Sequence, residues 1–242
     1  MSTLLLPIAP LHRSKSRLRD HFTKMQLKDF TISMFLDLGK KLSETHCFEN
    51  ILIYSSDNEI LDLALNFGLT GIKEEFKSES KNFDDTLQEI NDIAINNFSA
   101  KKTIIMFLDL ILISKKNLVE IDSLLNNNQL VVCPAINSAG ISILGRNPPN
   151  IIPTHFSDPN IPSLLALFDE IKKFKLKKTI VYDSFQAGFD IDIKKDLVLA
   201  YEYLKILNLE KTDTFNYLKK NLKLTILKGD NHNNRNLKFM EK

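Results

Sequence analysis

Five short apolar runs constrain this chain more than any other feature. Residues 3–8 (TLLLPI), 50–55 (NILIYS), 103–108 (TIIMFL), 129–133 (QLVVC) and 178–182 (KTIVY) lack polar alternation. A strand with one wet face shows a polar residue at every second position. These runs therefore predict strands buried on both faces, as in a parallel sheet covered by helices. A weaker run, 140–144 (GISIL), is a further strand candidate.

The segments between the runs change period. Leu27, Phe30, Ile32, Met34, Phe35, Leu38 and Leu42 recur at helical spacing over 24–43. Similar patterns cover 58–67, 84–98, 115–125, 162–174 and 194–207, and a last helix is expected over 210–222. Asp57 and Ser114 are candidate N-caps and Gly68 a candidate helix stop. The alternation predicts an α/β fold with a mostly parallel central sheet and helices on both faces. One domain over 1–224 is the simplest reading. Residues 225–242, polar and without period, are expected to form a disordered tail.

Composition excludes more than it selects. Apolar residues make up 43% and charged residues 26%, with a formal net charge of +2. Nothing in that balance points to nucleic acid or an anionic membrane. Cys47 and Cys133 show no metal-ligand spacing and suit a reducing compartment. No run approaches the roughly 18 apolar residues of a membrane helix. The N-terminal charges follow the apolar run instead of preceding it, so a signal peptide is not expected. The expected location is cytoplasmic.

In α/β sheets of this kind ligands bind beyond the carboxyl ends of the strands. The first run leads into PIAPLHRSKSRL, where Lys15 and Arg17 lie two residues apart. They read either as a clamp for phosphate oxygens or as part of a solvated basic loop. Asp109 follows TIIMFL and precedes LILI. An acid between apolar runs is costly to bury unless a cation or metal pairs with it, and a turn or cap role is the alternative. In FDIDIKKDL, Asp190 and Asp192 at i and i+2 would share one side of an extended segment, with Phe189, Ile191 and Ile193 on the other. They read as a hard-cation site, although Asp192 could instead cap a helix starting near Ile193. Acids and basic residues at strand ends are the equipment for chemistry on phosphates. The basic loop lacks the glycines of a Walker motif.

The order PIAPLHRSKSRL, FLDLILIS, CPAINSAGISIL, FDIDIKKDL resembles the 2-phospho-L-lactate and phosphoenolpyruvate guanylyltransferases (CofC or FbiD) of coenzyme F-420 biosynthesis. The similarity spans roughly residues 4–205. It implies a nucleotidyltransferase fold related to glycosyltransferase A enzymes and nucleotide-diphospho-sugar transferases. It also implies transfer of GMP from GTP to a small phosphorylated acid, with release of pyrophosphate. Under that resemblance Pro7, Lys15 and Arg17 would meet the GTP phosphates, and Asp109, Asp190 and Asp192 would hold magnesium. Gly140, Ile141, Ser142, Ser157 and Ser163 would face the acceptor. The implied partners are GTP and phospholactate or phosphoenolpyruvate, without nucleic acid or membrane and with a homodimer left open.

The chain departs from the family pattern at five places. Ala9 stands for a lysine, Phe83-Asp84 for a leucine-asparagine pair, Ile111 for the proline after the aspartate motif, Ile141-Ser142 for threonine-asparagine, and Ser157 for a glycine. Metal and triphosphate elements are better kept than those facing the acceptor. A nucleotidyltransferase of the same fold with another acceptor or base, and a catalytically silent nucleotide-binding relative, are the alternatives.

Overall fold

The computed structural model describes residues 1–11, 15–20, 22–75, 81–223 and 240–241. In chain order the elements begin with β1 (Ser2–Pro7), α1 (Lys24–Ser43), β2 (Phe48–Ser55), α2 (Asn58–Asn66), β3 (Thr70–Lys73) and α3 (Phe83–Phe98). They continue with β4 (Thr103–Met106), α4 (Lys115–Asn127), β5 (Leu130–Pro134), β6 (Ile141–Arg146), α5 (Ser163–Lys173) and β7 (Thr179–Val181). The chain closes with α6 (Phe185–Gly188), α7 (Lys194–Ile206), α8 (Asp213–Asn221), β8 (Leu222–Lys223) and β9 (Met240–Glu241). The single domain expected over 1–224 falls into two compact units. One comprises Met1–Pro10 with Leu38–Asp190, and the other Leu11–Asp37 with Ile191–Lys242.

The first unit holds a seven-stranded sheet in the order β3-β2-β1-β4-β6-β5-β7. All neighbours pair in parallel except β6, which runs antiparallel to both β4 and β5. The mostly parallel sheet read from the unalternated runs is thus present. Leu5 pairs with both Leu52 and Ile105. These three, with Val132 and Leu144, share a core with Leu87, Ile90 and Ala94 of α3 and Leu167 and Ile171 of α5. The intervening residues Leu4, Leu6, Ile53, Ile104, Val131 and Ile143 are buried as well. On β6, a methyl on Gly145 would meet Leu125 of α4 at 3.3 Å, so that helix lies directly on the strand backbone. Burial on both faces is why the strands carry no polar alternation.

Four local differences from expectation have physical reasons. The weak run at 140–144 is the full strand β6, made antiparallel by the short loop back from β5. Strand β3 (TGIK) has no apolar run to announce it, being an edge strand with no fully buried residue. The run at 103–108 is a strand only to Met106, because Leu108–Asp109 turn away. The short helix α6 is set by the Ser184 hydroxyl accepting from the amide of Ala187.

The caps read from sequence are present. The Asp57 carboxylate accepts from Glu59 N, and Ser114 and Asn117 form a reciprocal capping box. Gly68 has φ +69°. Leu69 N donates to Ala64 O and Gly68 N to Leu65 O, the paired bonds that close a helix through a left-handed residue.

The second unit is helical, with α1 up to Asp37, α7 and α8. Asp37 supplies the N-terminal cap of α8 from a distance, its two oxygens accepting from Asp213 N and Thr214 N at 2.8 Å each. The Tyr217 hydroxyl donates to Gln26 O at 2.6 Å, and its ring lies 5.5 Å from that of Phe30. Tyr201 stacks on Phe215 at 5.0 Å. Helix α8 starts at Asp213, later than expected, because Thr212 is its N-cap. The tail expected over 225–242 lies outside the described residues, apart from Met240–Glu241, which pairs with Leu222–Lys223.

Candidate active site

Within the second unit the structure brings together residues some 175 positions apart. The Lys15 ammonium donates to Ile191 O and stands 3.8 Å from Asp192 Oδ1. Arg17 Nη1 meets Asp192 Oδ2 at 2.9 Å. Lys15 is 12% exposed, Asp192 40% and Arg17 69%. An ion pair this open contributes at most about 1 kcal/mol, so either partner can be exchanged for a phosphate or a cation at little cost. Lys15 also has φ 50°, a left-handed conformation rare outside glycine and asparagine. His12 and Arg13 of the same loop lie outside the described residues.

Asp192 is not the cap of the helix that follows. That helix, α7, has Ile193 as its N-cap, one residue later than the sequence suggested. The third helical position is then Asp196, whose Oδ2 accepts from Asp192 N and Ile193 N at 2.9 Å each. Buried Asp196 thereby holds the turn that presents Asp192 and leaves the Asp192 carboxylate for Lys15 and Arg17. Residues 189–193 lie between helices α6 and α7 and belong to no strand, with Phe189 and Ile193 extended. Phe189 and Ile191 are buried as expected, but Ile193 is 48% exposed because its capping position lifts it off that side.

The remaining candidates belong to the first unit. Pro7 ends β1 and is buried, and Ala9 is exposed. Asp109 sits half-buried in the turn after β4, between buried Leu108 and Leu110. The ammonium of Lys41 reaches Ile111 O at 3.0 Å and steadies the segment just beyond it. Asp190 is half-buried at the end of this unit. Among the described residues no three His, Cys, Asp or Glu side chains are gathered as a metal centre. Asp109 and Asp192 are each a hard oxygen donor of the type magnesium takes.

The residues expected to face an acceptor divide. Ile141 is buried in the sheet core, and Ser142 is 1% exposed with its hydroxyl donating to Gly188 O at 3.3 Å. Both side chains are turned inward by their place at the start of β6. Gly140 remains accessible in the β5–β6 loop, where its amide donates to Ser138 Oγ. Ser163 is the first residue of α5 and half-buried. The Ser157 hydroxyl accepts from Asp84 N at 3.1 Å and points toward Asn82 Oδ1 at 3.5 Å, so it serves the N-terminus of α3.

Asp84 answers that contact. Its Oδ1 accepts from Phe156 N at 2.9 Å and its Oδ2 from Ser157 N at 2.8 Å. Burial would raise its pKa, but the bonds from Phe156, Thr154 and Ser157 outweigh it and hold the carboxyl below its ordinary range. Lys41 and Asp196 were missed as supporting residues. Asp196 was legible in FDIDIKKDL once the helix start is moved by one position, whereas nothing in the sequence around Lys41 marks its distant carbonyl partner.

Comparison with known proteins follows the same lines. A family model described as guanylyl transferase CofC like matches residues 2–240. The 2-phospho-L-lactate guanylyltransferase of Methanocaldococcus jannaschii is 30% identical over 217 residues, which cover 89% of this chain and 87% of that protein. Among solved structures, one described as a nucleotide-diphospho-sugar transferase from Desulfovibrio desulfuricans G20 superposes with a TM-score of 0.71 at 12% identity, covering 91% of this chain and 95% of that one. The 4-diphosphocytidyl-2C-methyl-D-erythritol synthase of Anaerococcus prevotii superposes with a TM-score of 0.57 at 11% identity, covering 84% and 95%. These two share the fold. No helix among the described residues is long and apolar enough to cross a membrane. Matched by the family model over nearly its whole length, the chain belongs to the CofC-like guanylyl transferase family.

Proposed function

We propose that this protein is a guanylyltransferase of coenzyme F-420 biosynthesis. It transfers GMP from GTP to the phosphate of 2-phospho-L-lactate or phosphoenolpyruvate. An acceptor phosphate oxygen attacks the α-phosphorus, the bond to the β-phosphate oxygen breaks, and pyrophosphate leaves with the electron pair. Lys15 and Arg17 bind the triphosphate and neutralise charge developing on the departing pyrophosphate, with Pro7 ending the strand that leads into their loop. Asp109 and Asp192, with Asp190, would hold magnesium, which supplies further neutralisation of phosphate charge. The observation that carries this reading is the convergence of Lys15 and Arg17 on Asp192. A cation pair held ready by a weak, open acid is suited to exchange that acid for phosphate.

Pyrophosphate release from GTP, measured with each acid in turn, tests the reading. Release should require the acid and fall at least 100-fold in Asp109→Asn and in Asp192→Asn. Full activity in both variants would remove the metal assignment. Release with neither acid but with another phosphorylated acceptor would favour the second reading, a different acceptor, which the inward-turned Ile141 and Ser142 support.

A further inference from the structure

Asp84 makes a set of contacts that neither GTP binding nor phosphate transfer uses. Three of its bonds come from one segment, from the Thr154 hydroxyl and the amides of Phe156 and Ser157. In the reverse bond Asp84 N donates to Ser157 Oγ, joining the same segment to the first turn of α3 across 73 residues of sequence. Two parallel amide bonds to one carboxylate fix both the position and the orientation of a backbone stretch.

What the segment carries is aromatic. Phe156 packs edge-on against Phe83 of α3 at 6.0 Å and against Phe107 at 5.5 Å, and Phe83 and Phe107 lie 5.9 Å apart. Phe107 directly follows β4, two residues before Asp109. Phe83 is 40% exposed, so the triangle has a solvent-facing side. The carboxylate also occupies both amides with which residues 156–157 would otherwise meet an anion.

We propose that Asp84 is a positioning residue that pins segment 154–157 to α3. It presents Phe156, Phe83 and Phe107 to the acceptor as an apolar wall and braces the turn that carries Asp109. This rests on the guanylyltransferase reading for what the wall faces. The pinning itself rests on the contacts alone. The acceptor's charged groups are then read elsewhere than at the amides of Phe156 and Ser157, and this wall meets its carbon skeleton.

Asp84→Ala, Asp84→Asn and Asp85→Asn provide the test. Asp85 shares the same helical turn, and among the described residues its bonds stay within that turn, to Asn82. In the parent protein amide hydrogen exchange at Phe156 and Ser157 should be slow, and Asp84→Ala should speed it at least tenfold. Asp84→Asn, which keeps one oxygen acceptor but turns an NH2 donor on the second amide, should fall between and covers the case in which the alanine variant does not fold. The KM for the acceptor should rise about tenfold in the Asp84 variants, with the KM for GTP within twofold and kcat within threefold. Asp85→Asn should lower Tm without that split. Unchanged exchange in both Asp84 variants would overturn the pinning. Equal rises in both KM values, or the same split in Asp85→Asn, would overturn the positioning role. If the parent protein transfers no GMP, the guanylyltransferase reading fails, and exchange still decides whether Asp84 pins the segment.

Discussion

Lys15 adopts φ 50° where glycine would sit at no steric cost. Holding a non-glycine residue there costs on the order of 1 kcal/mol, and such strain concentrates where a side chain is needed for function. The side chain kept at that cost reaches Ile191 O and Asp192. Lys15→Gly should therefore separate stability from activity. Tm should stay within about 2 °C of the parent, since relief of strain offsets the added entropy of the unfolded chain. GMP transfer should fall by two orders of magnitude or more. A melt lowered by more than 5 °C with activity retained would make Lys15 structural. The charge of this loop was visible in PIAPLHRSKSRL, but its direction was not. The partner lies at Asp192, and an ion pair between distant positions leaves no local mark on sequence.

Helix α7 shows how one position decides the role of an acid. Counting from Asp192 as N-cap puts Lys195 at the third helical position, and no reciprocal cap exists. With Ile193 as N-cap that position is Asp196, which takes the amides of Asp192 and Ile193. Asp196→Ala would leave both amides without their carboxylate and should cost about 1 kcal/mol, comparable to losing a helix cap. In a chain of this length that lowers Tm by roughly 2–4 °C. Because the same bonds hold the turn before α7, transfer should drop at least tenfold at saturating GTP, and a melt and a rate assay on one sample check both. The strands were easier to read than this turn. Runs such as TLLLPI and QLVVC are buried on both faces and announce themselves, while β3, an edge strand with nothing fully buried, does not.

At the scale of the whole molecule, binding of GTP with magnesium should appear as stability. A ligand that binds only the folded chain stabilises it by about 2.7 kcal/mol at 100 times its Kd. For a protein of this size that raises Tm by roughly 5–10 °C. The shift should shrink to within 2 °C in Asp192→Asn, and a full shift in that variant would take Asp192 out of nucleotide binding. Runs of apolar residues and their helical intervals already determined a mostly parallel sheet under helices, because burial on two faces removes polar alternation wherever the strand sits. The motif order likewise determined the family, because residues that meet a common substrate recur at set distances along the chain. Tertiary structure alone decided that β6 runs against its neighbours, that Ile141 and Ser142 face inward, and that Asp84 takes the amides of Phe156 and Ser157. Each depends on partners met elsewhere in the fold: β6 inserts between β4 and β5, Ser142 meets Gly188, and Asp84 meets residues 72 and 73 positions away, pairings that no local pattern sets.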